Sequence, residues 1–239
     1  MRPTLVVRGL TQTFGGNPPF TLSIPWLELF PGELTYIGGP SGSGKSTLIK
    51  LLALETRPPA GDLWTLDRHI NSLPDHQRDD LRGGGITYIP QGDLGLVDQP
   101  PVEIIRRLLF DYEGVDFAEG TRRAEYGLAR AKLPPERFYT RVKLLSGGEK
   151  ARVAIGKAYA AERPICLADE ILPALDEETR MDIVDLFQEL AEDGFTVVIV
   201  AHQPNLRNRF HRVVELDRGQ IRSDQRYAPV VRGRPQATP

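Results

Sequence analysis

Gly38-Gly39-Pro40-Ser41-Gly42-Ser43-Gly44-Lys45-Ser46-Thr47 contains the spacing Gly-x4-Gly-Lys-Ser from Gly39 to Ser46. An apolar run, Leu34 to Ile37, precedes it, and Leu48, Ile49, Leu51 and Leu52 follow at helical spacing. The reading is a strand that stops abruptly, a loop, and a helix starting near Lys45. Between the two elements the backbone must wrap a polyphosphate with its N–H groups turned inward, which glycines permit. The helix start adds unpaired N–H donors and partial positive charge. Lys45 carries a full charge toward the β- and γ-phosphates, and the Ser46 hydroxyl suits Mg²⁺. All of Gly39, Pro40, Ser41, Gly42, Ser43, Gly44, Lys45, Ser46 and Thr47 are therefore expected to contact nucleotide.

Upstream of this loop, Leu5–Leu10 and Phe20–Leu29 read as strands around a turn at Gly15–Pro19. The alternation of Leu22, Ile24 and Trp26 marks them as antiparallel and half-buried. Downstream, Asp62–Leu66 returns as a strand, Ser72–Asp75 signals a helix start, and Ile86–Ile89 is a short strand ending at Pro90-Gln91. Residues from about 92 to 160 change character. Val102–Leu109 and Thr121–Lys132 look helical, and no strong strand appears among them. This is read as a helical lobe inserted into a sheet. Ile165–Ala168 and Phe195–Ala201 then resume as apolar core strands, separated by a helix that starts at Asp176. Val213–Leu216 and Gln220–Arg222 form a hairpin. Strands alternating with helices indicate an α/β fold with a mainly parallel sheet, whose ligands lie at the strands' carboxyl ends. One domain over 1–222 is expected, followed by a flexible tail over 223–239.

With 239 residues, 40% apolar and 26% charged, the chain can bury a proper core. Its net charge of −2 supplies no basic field, so nucleic acid is not an expected partner. The longest apolar runs are too short to span a bilayer, and the N-terminus shows no signal-peptide pattern. The single cysteine, Cys166, sits among apolar neighbours and fits a reducing compartment. A cytosolic location follows, with any membrane part supplied by another chain.

Binding a nucleotide is not hydrolysing it, which needs a metal and a positioned water. Asp169 and Glu170 end the Ile165 strand, where this architecture brings them beside the loop. Asp169 suits Mg²⁺, and Glu170 can polarise the attacking water. Gln91 ends a second strand and can reach metal or water. His202 ends a third, where an imidazole can donate to the γ-phosphate. Leu145-Ser146-Gly147-Gly148-Glu149 closes the lobe with a capping box, Ser146 to Glu149. Two glycines in a first helical turn are unfavourable unless backbone N–H groups there approach an anion. The chain thus shows two phosphate-binding helix starts.

Together these residues resemble the nucleotide-binding subunits of ABC ATPases over about 5–222. Leu-Ser-Gly-Gly-Glu is the element that separates that family from other phosphate-loop ATPases. The order of loop, Gln91, Ser146–Glu149, Asp169-Glu170, Asp176 and His202 also fits. The resemblance implies the ABC ATPase fold, ATP and Mg²⁺ as ligands, Phe14 stacked on adenine, and Ala174-Leu175-Asp176 crossing a dimer interface. It implies a head-to-tail homodimer or paired ABC subunit, with two ATP between the loop of one copy and Ser146, Gly147, Gly148 and Glu149 of the other. Asp80-Leu81-Arg82 and the compact length look most like lipoprotein-release, macrolide-export and cell-division ATPases. That implies separate transmembrane subunits and a peripheral position on the inner face of the membrane. Three departures stand out: Ile171-Leu172 in place of Pro-Thr, Pro90 before Gln91, and Glu149 in place of glutamine. Ser-Gly-Gly-Glu-Lys and Asp-Glu-Ile are also similar to soluble iron–sulfur-assembly and DNA-repair members, so a non-transport ATPase stays open. So does a slowly hydrolysing nucleotide-gated clamp.

Overall fold

The structure is a computed structural model that describes residues 2–16, 18–58, 60–202 and 204–227. Among these residues ten strands form one sheet in the order β5-β4-β1-β2-β10-β9-β3-β8-β7-β6. On one side β1 (Leu5–Phe14), β2 (Phe20–Leu29), β4 (Asp62–Thr65) and β5 (Arg68–His69) pair antiparallel. On the other, β9 (Arg212–Asp217), β3 (Leu34–Gly38), β8 (Thr196–Val200), β7 (Ile165–Asp169) and β6 (Ile86–Ile89) run parallel. The mainly parallel core and the antiparallel subdomain expected from the sequence are both present.

Pleating sorts the core strands' side chains by parity. Cys166 and Ala168 face a core shared with α5 (Gly147–Ala161) and α6 (Glu177–Glu192). Ile165 and Leu167 face the other side, against α1 (Lys45–Leu52). Both faces are covered, which is why β7 and β8 read as unbroken apolar runs. Cys166 is fully buried in this core, and burial pushes its thiol up to about 12. Helix α2 (Asp75–Gly85) runs through the glycine triplet and hands over directly to β6. The lobe is built of α3 (Pro101–Glu113), α4 (Phe117–Arg130) and one flank of α5, around Ile105, Leu109, Leu128 and Val153. Helix α5 therefore lines two cores at once.

The two halves of the sheet meet at β10 (Gln220–Arg226), antiparallel to β9 and joined to β2 by the pair Gln220–Ser23. Gly219 makes this junction possible. Its φ is +79°, and a Cβ there would lie 1.9 Å from the Thr21 carbonyl oxygen. The N–H of Ser23 donates to the Gly219 carbonyl at 2.7 Å, and the Gly219 N–H donates to the Ser43 carbonyl in the phosphate loop at 3.1 Å.

Strand β10 runs past Arg222 into the stretch expected to be tail, with Arg226 paired to Arg212. Buried charge holds it there. Arg212 is 4% exposed, and its Nε donates to Asp224 Oδ1 at 2.6 Å while Nη1 faces Glu33 at 3.4 Å. Glu33 also accepts from Arg226 Nε at 2.8 Å. The remainder of the expected tail, from 228, lies outside the described residues. Replacing Arg212 by alanine strands these carboxylates, and we expect a loss of about 3 kcal/mol. A urea melt reads it, and an unchanged midpoint would exclude a structural role for the network.

Candidate nucleotide site

Phe14, Ser41, Gly42, Gly44, Lys45, Ser46, Thr47, Gln91, Glu170 and His202, together with Phe20, line one pocket of about 660 Å³. Four strand ends converge on it: β3 leads into the phosphate loop, β6 delivers Gln91, β7 delivers Asp169-Glu170, and β8 delivers His202. The loop opens at Gly39, whose φ is +139°. A Cβ there would stand 2.1 Å from the Leu216 carbonyl oxygen, so only glycine fits.

Lys45 is 4% exposed and has folded back on its own loop. Its Nζ donates to the carbonyls of Gly39 at 3.0 Å and Pro40 at 2.9 Å. Burial pulls its ammonium below the usual lysine range, against the opposing pull of Glu170, Asp169 and Glu215. Two carbonyls are a modest partner set for a buried cation with three donors, and phosphate oxygens are a better one.

Asp169 is buried at the end of β7, with Oδ1 accepting from Ser46 Oγ at 3.4 Å. Burial pushes its carboxyl upward, and the charge of Glu170 adds to the shift. Among the described residues no cluster of three or more His, Cys, Asp or Glu side chains could hold a metal by itself. One buried carboxylate and one hydroxyl make a partial set of hard oxygen donors. Such a set fits a cation that completes its shell with phosphate oxygens and water.

Glu170 follows with φ +50°, a left-handed conformation uncommon for a non-glycine residue. Its N–H donates to the Val200 carbonyl at 3.0 Å, which turns the side chain into the pocket. Both carboxylate oxygens are engaged. Gln91 Nε2 donates to Oε2 at 3.1 Å, and His202 Nε2 contacts Oε1. The other ring nitrogen, Nδ1, lies 3.2 Å from the Gly39 carbonyl oxygen. Each nitrogen of the imidazole thus faces an acceptor. Ile171 and Leu172, in place of Pro-Thr, are buried in the core beneath α6 and leave this arrangement intact.

Phe20 is absent from the sequence-based set. It is cross-strand to Phe14, with ring centroids 6.0 Å apart. It also reaches the loop, since a Cβ on Gly44 would meet its Cζ at 3.1 Å. The register of the first hairpin was the signal that could have found it.

Ser146, Gly147, Gly148, Glu149 and Asp176 are not among the residues lining the pocket. The capping box is complete: Ser146 Oγ accepts from Glu149 N, and Glu149 Oε2 accepts from Ser146 N at 2.7 Å. Glu149 also pairs with Arg137 at 2.9 Å. The two glycines have a reason inside this chain. A Cβ on Gly148 would sit 2.5 Å from Thr179 Cγ2, and one on Gly147 3.3 Å from Leu175 Cδ2. Asp176 caps α6 by accepting from Thr179 N at 2.9 Å, and that bonding holds its carboxyl below the usual range.

Comparison with known proteins agrees with the fold. The ABC transporter family profile matches residues 24–172, and the chain belongs to that family. Within it, the fold is that of the ATP-binding cassette of ABC ATPases. The macrolide export ATP-binding/permease protein MacB of Vibrio parahaemolyticus is 33% identical over 95% of this chain and 35% of its own length. MacB of Wolinella succinogenes is 31% identical over 97% of this chain and 36% of its own. The chain thus spans about a third of the length of these curated relatives. A dimeric ATP-binding cassette solved in a post-hydrolysis state with ADP and Pi superimposes with a TM-score of 0.83. It shares 30% identity, covering 93% of this chain and 98% of that one.

Proposed function

We propose that this chain is the ATP-driven motor of a membrane transport complex, with Glu170 as general base, His202 and Gln91 as its holders, and Lys45 as the phosphate clamp. The observation that carries this reading is the Gln91–Glu170–His202 chain of contacts facing Lys45 in one pocket. A carboxylate held from both sides is oriented in advance, and orientation supplies much of the gain in phosphoryl transfer. Ser46 and Asp169, with Gln91 in reach, would hold Mg²⁺. When bound, the cation neutralises charge developing on the phosphates. Lys45 exchanges its two carbonyl acceptors for phosphate oxygens, and Phe14, backed by Phe20, offers a face to adenine.

The pocket opens to solvent. We assign its missing wall to a second copy, whose Ser146–Glu149 helix start and Asp176 would close it head to tail. The N–H groups at that helix start are backbone donors suited to an anion. The dimeric cassette that this chain resembles supports a paired arrangement.

Among the described residues no helix is long and apolar enough to cross a membrane. We assign the permease function to transmembrane subunits, with this chain at the inner face of the membrane, on the likeness to MacB. Their docking surface is the lobe. Phe110 and Phe117 are 62% and 69% exposed there. They flank a groove of about 390 Å³ with Gln99, Glu103 and Val115, and the Arg106 guanidinium lies 3.9 Å from the Phe117 ring centre. MacB, which joins ATP-binding and permease parts by name, favours this reading over a soluble ATPase. The tagged chain should recover an integral membrane protein from detergent-solubilised membranes. Phe110→Asp with Phe117→Asp should lose that partner and keep basal ATPase within about twofold. Recovery of soluble scaffold proteins alone would overturn the transport reading.

A further inference from the structure

Lys157 lies on α5, near the end of the helix that starts at Ser146, and is 7% exposed. Its ammonium has three donors. Among the described residues it makes one long hydrogen bond, to the Gly95 carbonyl at 3.5 Å. The charged or titratable groups that act on it are Arg163 after α5, Asp93 in the loop and Cys166 on β7. Arg163 repels it, and burial holds its ammonium down to about 8. Among the described residues no carboxylate bonds it.

The loop it touches begins at Gln91. Gly92, Leu94 and Gly95 have φ of +93°, +58° and +62°. Such a sharply bent segment needs outside support to keep one shape. Part of that support is internal: Gly95 N donates to Asp93 Oδ1 at 2.9 Å, and Leu96 N donates to the Asp93 carbonyl at 3.2 Å. Gly95 also stacks close to Pro90, at 3.3 Å for a Cβ built there. Lys157 is the polar contact from α5. A buried, under-bonded ammonium weakens a fold, and an apolar residue of like size would serve packing better. Its one bond is to the segment that aims Gln91.

We propose that Lys157 is a positioning residue for Gln91, bracing the 92–96 loop from α5 so that the pocket and the Ser146 helix are mechanically joined. The proposal rests on the reading of Gln91 as part of the reacting site.

Lys157→Met and Lys157→Arg in the full chain test it. Without nucleotide, amide hydrogen exchange at 92–96 should rise about tenfold in the methionine variant and return toward wild type in the arginine variant. Its melting temperature should equal or exceed wild type. With ATP, kcat should fall about tenfold while KM stays within about twofold. Gln91→Ala, run in parallel, should be slow, and adding Lys157→Met to it should cost no more activity. Unchanged loop exchange and kcat beside a slow Gln91→Ala would overturn the brace and leave the site reading standing. A fully active Gln91→Ala would overturn both. Additive losses, or a lower melting temperature with wild-type kcat, would reduce Lys157 to a core residue and sink the proposal. If the methionine variant does not fold, Lys157→Gln is measured in its place, with the same results expected and the same results overturning the brace.

Discussion

Changing Glu170 to glutamine is expected to leave ATP binding within a few-fold of wild type and to slow hydrolysis by about 10²–10⁴. Glutamine keeps the size and the backbone conformation at φ +50°. It retains an oxygen for one of the two contacts that Gln91 and His202 make with the carboxylate. What it cannot do is take a proton from water. Phosphate release against equilibrium nucleotide binding separates the two effects. A second readout concerns assembly. If ATP joins two copies, the slow variant should accumulate as a dimer in Mg·ATP and remain a monomer without it, by light scattering. Hydrolysis at the wild-type rate would remove Glu170 from the mechanism, and a monomer under both conditions would count against the paired site.

Lys45→Met should act on the other half of the chemistry. The ammonium now bonds two loop carbonyls, at 3.0 and 2.9 Å, in a buried position. In the loaded protein those bonds are expected to pass to phosphate oxygens, as charged hydrogen bonds of about 2–3 kcal/mol. Losing them should weaken ATP binding by roughly 30- to 150-fold. Stability of the nucleotide-free protein should move the other way or not at all, because a buried cation has been removed. The opposite signs are the test: titration calorimetry reads the first and a thermal melt the second. A variant that binds ATP as wild type would exclude Lys45 as a phosphate clamp.

Much of this pocket's lining could be read in the sequence. Residue types and spacing located the loop from Gly39 to Ser46, because a backbone that cradles phosphate admits few sequences. The strands that carry Asp169 and His202 showed as apolar runs because both faces are covered. What stayed hidden followed other rules. The continuation of β10 past Arg222, Ser-Asp-Gln-Arg, has no apolar residue and is held by Arg212, Asp224 and Glu33. The last residues of β1, Thr11–Phe14, lie beyond the apolar run that marked its start. Phe20 needed the hairpin register. Lys157 sits in a helix, where lysine ordinarily signals a solvated face, and no local pattern announces that it is buried. At Gly147 and Gly148 the sequence pointed to an anion, and the structure adds a steric reason in Thr179 and Leu175.

With adenine at Phe14 and phosphates at Lys45 as proposed, the sheet's junction at Gln220–Ser23 would give nucleotide a role beyond being consumed. Phe14 belongs to the antiparallel half and Lys45 to the parallel half, and between them Gly219 is bonded to both Ser23 and Ser43. A molecule that rests its base on one half and its phosphates on the other is a rivet across a crease. Its binding energy adds to the cohesion of the two plates as RT ln(1 + [L]/Kd). If adenine rests on Phe14 and the phosphates on Lys45, an emptied pocket leaves the two halves with one fastening fewer, and each release of nucleotide would lower their cohesion along that line.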